Sequence, residues 1–335
     1  MARIGVLGGG TWGIALSVLL SQNGHEVTVW SAVEKEIQML RDTHEHKMLP
    51  GVKIPEDITF TMDDAEVVKG KSILVMAVAS SYTRKVADSI SSLVAQNQII
   101  VNVAKGIEES TMMTLTQVIE EEIPQADIAV LSGPSHAEEV GRGLPTSVVV
   151  GAKTRETAEY IQNVFMSPVF RVYTSPDVLG IELGSSLKNV VALAAGIADG
   201  LGYGDNAKAA LITRGITEIS RLGTAMGGKA ETFSGLTGIG DLIVTCASMH
   251  SRNRRAGILI GQGKTYKEAM EEVQQVVEGV YSAKAAMKLA KKYNVQLPII
   301  EQVNKVLFED KNPAQAVKEL MLRDKKSELS VASWV

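Results

Sequence analysis

Cysteine is nearly absent from the chain: Cys246 stands alone among 335 residues. One thiol forms neither an internal disulfide nor a cysteine-rich zinc site, which points to a reducing compartment. Aromatic residues are scarce at 4 %, too few for a base-stacking platform. A surplus of positive charge is missing as well: 34 Lys and Arg face 38 Asp and Glu, for a formal net charge of -4. That balance argues against nucleic-acid binding but leaves room for a small basic pocket. No apolar run approaches the ~20 residues that span a bilayer, so no stable membrane insertion is expected. The start, Met1-Ala2-Arg3-Ile4-Gly5-Val6-Leu7, lacks the long apolar region and cleavage site of a signal peptide and reads as a first strand. A cytoplasmic setting is the expectation. The 5 histidines show no metal-ligand spacing. No metal is expected, and they read as surface or local hydrogen-bonding residues.

What the chain does have is 45 % hydrophobic and 21 % charged residues, the balance of a globular protein with a buried core. At roughly 100–200 residues per domain the length suggests two domains. The first half alternates short Val- and Ile-rich runs with amphipathic stretches. The runs are residues 3–8, 26–30, 72–78, 99–104, 129–132 and 147–150, with 169–173 as a further candidate. They lack strict alternation, as strands buried on both faces do. Helical stretches at 13–23, 33–41, 81–93 and 112–122 lie between them. Strand and helix in alternation predict a mostly parallel sheet wrapped by helices. After about Asp177 helical stretches take over, at 187–199, 207–226, 266–273, 280–293 and 299–308, with Pro298 and Pro313 placed as helix starts. The reading is an α/β fold: a Rossmann-type domain over 1–179, then an all-helical domain over 180–335. No repeat or linker is visible, so the two are expected to share a fixed interface. The tail from residue 325 onward reads as loose.

Gly8-Gly9-Gly10-Thr11-Trp12-Gly13 matches G-x-G-x-x-G between the first strand and the first helix. Gly8 serves the tight turn, Gly10 the approach of a pyrophosphate, and Gly13 the packing of helix on sheet. The helix start then offers free N–H groups to phosphate. The second strand leads into Val29-Trp30-Ser31-Ala32-Val33-Glu34-Lys35. Glu34 would suit a ribose hydroxyl and Lys35 a 2′-phosphate, so NADH and NADPH both stay open.

Three further segments carry chemistry. Lys105 follows the strand at 99–104, where ligands bind in open parallel sheets. Lys188 and Asn189 open a small-residue, strongly apolar helix. A lysine buried there beside another cation titrates nearer neutrality and becomes a proton donor or acceptor. Asp241 closes the glycine-dense Gly235-Leu236-Thr237-Gly238-Ile239-Gly240 and could orient Lys188 or cap a helix. Ser251-Arg252-Asn253-Arg254-Arg255 is the sharpest basic cluster, well suited to a phosphate.

Together these segments resemble the bacterial-type NAD(P)-dependent glycerol-3-phosphate dehydrogenase family over about residues 3–323. Ser132-Gly133-Pro134-Ser135-His136-Ala137-Glu138-Glu139 and Val276-Val277-Glu278-Gly279 add to the match. The resemblance implies interconversion of dihydroxyacetone phosphate and sn-glycerol 3-phosphate with NAD(P)H, supplying glycerophospholipid synthesis, and a possible homodimer. It implies Lys188 as proton donor and acceptor, with Lys105 and Asp241 completing the catalytic set. Gly133, Ser135, Ser251, Arg252 and Asn253 would join those three in contacting substrate. Gly8, Gly10, Thr11, Trp12, Gly13, Lys105, Ala137, Arg252, Val276 and Glu278 would contact the cofactor. The chain departs from the family twice. Ala32 stands where a basic residue is common, and Ala79 where proline is usual, which implies a less rigid loop. Two other readings remain open: another small hydroxy acid as substrate, and a dinucleotide-binding redox sensor without turnover.

Overall fold

Residues 1–325, 327 and 328 are described by a computed structural model of the chain. The stretch expected to be loose falls outside these residues, apart from Lys325, Ser327 and Glu328.

The first unit runs β1 (Arg3–Leu7), α1 (Thr11–Gln22), β2 (Glu26–Trp30), α2 (Glu34–Thr43), β3 (Thr59–Thr61) and α3 (Asp64–Val68). It continues through β4 (Ile73–Met76), α4 (Thr83–Ile90), β5 (Ile99–Asn102), α5 (Leu115–Glu122), β6 (Asp127–Ser132) and α6 (Ala137–Gly141). It ends with β7 (Thr146–Ala152), α7 (Arg155–Phe165) and β8 (Phe170–Ser175). One sheet holds all eight strands in the order β3-β2-β1-β4-β5-β6-β7-β8. Every pairing is parallel except that of β6 with β7. Both faces are covered, which explains the unbroken apolar runs. Ile73 and Val75 enter the core on one face, and Leu74 and Met76 the core on the other. β3, α3, α6 and α7 were not foreseen; β3 has only three residues, too few for a period to show.

The order reverses between β1 and β4, so the loops leaving these strands part and leave a crevice at their carboxyl ends. Gly8 opens the turn after β1 at φ +128°, and a Cβ there would lie 2.8 Å from the Ala77 carbonyl carbon. At Gly13 a Cβ would collide with the Gly8 carbonyl oxygen. Only glycine satisfies both positions.

The rest is helical: α8 (Val178–Gly200), α9 (Asp205–Ala225), α10 (Ala230–Phe233), α11 (Asp241–Ala247) and α12 (Arg252–Gly261), then α13 (Tyr266–Val273), α14 (Glu278–Lys292), α15 (Pro298–Phe308) and α16 (Pro313–Met321). Pro298 and Pro313 each begin a helix, where proline lacks no needed donor. A π-helical turn, Leu236–Gly240, leads directly into α11.

Helix α8 is the axis of this unit, buried from Gly180 to Ala198. It begins nine residues earlier than the sequence suggests, so Lys188 lies mid-helix and not at the start. Gly180 and Gly184 are close-contact points within α8: a Cβ on Gly184 would lie 2.6 Å from the Thr237 carbonyl oxygen. The expectation that no segment has the length and apolarity of a membrane span also needs correcting. The most apolar stretch of α8 has a mean hydropathy of 1.4, but 89 % of it is buried inside the fold. Asp177 caps α8 by accepting the Gly180 N–H at 3.0 Å, and it also accepts from Lys229 N–H and Thr232 Oγ.

Candidate active site

The loop after β5 carries Lys105 toward α8. Asn102 Nδ2 donates to Glu182 Oε1 at 3.2 Å, and Thr116 N–H donates to the same oxygen at 2.9 Å. Ser186 Oγ donates to the Gly106 carbonyl at 3.0 Å. These buried bonds fix the loop against one face of α8. Lys188 projects from the next turn.

The two lysines meet at one carboxylate. Lys188 Nζ donates to Asp241 Oδ1 at 2.6 Å, and Lys105 Nζ donates to Asp241 Oδ2 at 2.8 Å. Lys188 also donates to Thr245 Oγ at 2.6 Å, and Lys105 to the Gly133 carbonyl at 3.0 Å. Each ammonium has three donors, so each keeps one for a ligand. Asp241 does not cap α11; the π-turn runs straight into that helix. Burial alone would raise its carboxyl, but Lys105 and Lys188 outweigh burial and hold it below the usual range. Burial pushes Lys188 down to about 8, with Asp241 opposing and Lys105 assisting the shift. Two cations on one anion leave the trio with a net positive charge.

A cleft of about 400 Å³ opens beside this trio. Of the residues singled out in the sequence, Gly10, Thr11, Trp12, Lys105, Ser135, Ala137, Lys188, Asp241, Ser251, Arg252, Asn253, Val276 and Glu278 line it. Gly8, Gly13 and Gly133 act from behind: the first two shape the turn, and Gly133 accepts from Lys105.

The basic cluster divides. Ser251 caps α12 by accepting the Arg254 N–H at 3.2 Å. Arg254 is spent on Asp199, its Nε 2.8 Å from Oδ2, and Arg255 does not reach the cleft lining. Asn253 ties helices together, donating to Asn189 Oδ1 at 2.9 Å and accepting the Gly279 N–H at 2.8 Å. Arg252 is different: it lines the cleft and makes no hydrogen bond or ion pair among the described residues. Burial lowers its pKa, while Glu278 and Glu138 oppose that shift from a distance.

The other end of the cleft fits a dinucleotide. Helix α1 starts with no acidic side chain and no side-chain cap, so its first N–H groups are open to an anion. A Cβ built on Gly10 would meet nothing within 4 Å. Trp12 Nε1 donates to the Val103 carbonyl at 3.2 Å, tying the helix start to the end of β5. Glu278 accepts from Ser80 N–H at 3.1 Å and Ser80 Oγ at 2.5 Å, which closes the cleft from the helical side. The loop at Ala79 is therefore anchored through its neighbour despite lacking proline.

Sequence reasoning missed several residues here. Thr245 sits one helical turn after Asp241, a spacing that places both on one face of α11. His46, His136 and His250 line the cleft, a role not foreseen for them, although His250 is exposed and His46 makes a local hydrogen bond, accepting the Met48 N–H at 3.1 Å, as expected. Burial, then the charge of Lys188, holds His136 below the usual histidine range. Glu34 and Lys35 are exposed and outside the lining; the acid that reaches the cleft is Glu36.

Two family models cover the chain. The NAD-dependent glycerol-3-phosphate dehydrogenase N-terminus matches residues 3–158, and the C-terminus of the same enzyme matches 177–318. The chain belongs to the NAD-dependent glycerol-3-phosphate dehydrogenase family. As a member it is an NAD(P)-dependent oxidoreductase that acts on a CH–OH group. It is 65 % identical over 335 residues to the glycerol-3-phosphate dehydrogenase [NAD(P)+] of Agathobacter rectalis, covering 100 % of both chains. The enzyme of the same name from Fusobacterium nucleatum is 62 % identical over 337 residues, again with 100 % of both covered. The crystal structure of glycerol-3-phosphate dehydrogenase from Coxiella burnetii superposes with a TM-score of 0.93 at 37 % identity, over 96 % of this chain and 99 % of that one.

Proposed function

We propose that the cleft reduces dihydroxyacetone phosphate to sn-glycerol 3-phosphate and runs the reverse reaction, with Lys188 as the group that gives and takes the proton. The observation that carries this reading is the buried Lys188, brought to about 8 and held by Asp241 and Thr245 in the same cleft as an unpartnered arginine.

Gly8, Gly10 and Gly13 shape the cradle for a dinucleotide, and Thr11, Trp12, Ala137, Val276 and Glu278 line its path. A reduced nicotinamide, when bound, supplies hydride to the ketone carbon. As negative charge grows on the ketone oxygen, the free N–H of Lys188 delivers a proton to it. Lys105 keeps its charge beside that oxygen and lowers the cost of the developing anion. Asp241 holds both ammonium groups in place and is not consumed. Arg252 takes the phosphate, with Ser251 and Asn253 beside it and Ser135 on the facing loop. Binding energy at the phosphate then fixes the carbonyl against Lys188. Residues 1–179 serve the dinucleotide in this reading, and residues 180–335 supply most of the substrate groups. The family resemblance further supports supply of glycerophospholipid synthesis, a cytoplasmic setting and a homodimer.

The test compares dihydroxyacetone phosphate with dihydroxyacetone as oxidants of the reduced coenzyme. Turnover should need the phosphate. Equal rates for the two would remove the assignment of Arg252 and favour another small carbonyl substrate. Binding of coenzyme without turnover on any such ketone would favour a sensor.

A further inference from the structure

Glu36 lines the cleft at the end where the loops after β1 and β2 meet. It lies in the first turn of α2, and its side chain turns back toward the glycine loop. A Cβ built on Gly9 would lie 2.9 Å from its Oε2. Ser31, the buried residue that follows β2, donates from Oγ to the same oxygen at 2.5 Å. Val33 N–H in turn donates to Ser31 Oγ at 3.2 Å. The carboxylate is thus held in place, and its Oε1 has no hydrogen-bond partner among the described residues. In a sheet of this kind the ribose of the adenosine half sits at the end of the second strand, and its 2′ substituent faces the side chains that follow.

Around that position no lysine or arginine lines the cleft. The lysines and arginine of the cleft, Lys105, Lys188 and Arg252, belong to the loop after β5, to α8 and to α12. None lies on β2, on α2 or between them. Ala32 and Val33 are uncharged, and Lys35 stays outside the lining. His46 also lines the cleft, and burial lowers its pKa against the pull of Glu36.

We propose that Glu36 sets the coenzyme choice: its carboxylate accepts from the ribose 2′-hydroxyl of NADH and repels the 2′-phosphate of NADPH. This rests on the dinucleotide reading of the cleft. Selectivity comes from a like-charge contact with no lysine or arginine of β2 or α2 in the cleft lining, as well as from a hydrogen bond that only the hydroxyl donates.

Calorimetric titration of the full chain with NADH and with NADPH, without substrate, reads both Kd values directly. NADH should bind at least about tenfold more tightly. Glu36→Gln keeps a carbonyl acceptor and removes the charge, so it should shrink the ratio several-fold, mainly by tightening NADPH. Glu36→Lys should invert the ratio, and it carries the argument if the glutamine variant does not fold. NADPH binding as tightly as NADH to the unsubstituted chain overturns the inference. So does a ratio that neither substitution moves. Failure of both coenzymes to bind would overturn the dinucleotide reading itself, a result distinct from a wrong preference.

Discussion

At the scale of single residues, the site turns on one carboxylate shared by two lysines. Asp241 is 1 % exposed, and its burial is tolerable only because both oxygens face an ammonium. Removing either lysine leaves a different defect. Without Lys188 the proposed proton donor is gone; without Lys105 that lysine loses the neighbouring charge that helps to lower it. Arg252 lines the same cleft but shares no hydrogen bond with this trio, so its loss should separate binding from chemistry. We expect Arg252→Ala to raise KM for dihydroxyacetone phosphate by roughly 10- to 100-fold, the value of a charge-assisted contact, with a smaller change in kcat. An unchanged KM in steady-state kinetics would place the phosphate elsewhere. Lys105 and Lys188 were legible in the sequence because a strand end and an apolar helix each make a lysine conspicuous. Glu36 was not, because its approach depends on α2 turning it back toward Gly9. Nor was the division of the basic cluster, since only the path of α12 sends Arg254 to Asp199 and Arg252 to the cleft.

At the scale of elements, α8 and α12 bring Lys188 and Arg252 together. Their crossing is close enough that a Cβ on Gly257 would collide with the Leu193 carbonyl oxygen and lie 2.9 Å from the Gly196 Cα. Gly257→Ala should force the helices apart at a cost of about 1–3 kcal/mol. Because the shift moves α12, activity should fall further than stability alone requires. A variant with unchanged urea midpoint and unchanged turnover would show that the crossing is not needed. The same elements mark the limits of reading the chain. Buried strands such as β4 announce themselves as apolar runs. The π-turn and α11 do not, because Gly235, Gly238 and Gly240 look like a loop. Helix α12 was hidden by its polar first turn, Arg252-Asn253-Arg254-Arg255, which stands out as a basic cluster and carries no apolar period.

At the scale of the whole molecule, the sheet unit presents the glycine turn at the start of α1, and the helical unit presents the proposed proton donor Lys188 and the unpartnered Arg252. Glu182 and Glu278 pin the two together by accepting from Asn102, Thr116 and Ser80. Stability has a separate pH-sensitive point away from the cleft. Glu218 accepts the N–H groups of Ile299 and Ile300 at the start of α15, and burial raises it to about 7. The folded state then holds a proton that the unfolded chain, at an ordinary 4.5, has released. The stability this group adds is full below pH 4.5 and is lost as pH rises through about 7, by about 3 kcal/mol. Glu218→Gln cannot ionise, so urea unfolding should find it less stable than the unsubstituted chain at low pH, with the gap closing or reversing above 7. A gap independent of pH would contradict the assignment.

Lys188 is the proposed proton donor on which the chemistry of the cleft depends. The decisive measurement is the pH dependence of coenzyme oxidation by dihydroxyacetone phosphate, for the unsubstituted chain and for Lys188→Met, with coenzyme binding measured alongside. Reduction needs the protonated amine, so the rate should fall as pH rises through about 8, and the reverse oxidation should rise over the same interval. Lys188→Met should bind the coenzyme normally while losing about 10²–10⁴-fold in turnover. A methionine variant that keeps its turnover and the same pH profile would contradict the assignment of Lys188 as the proton donor.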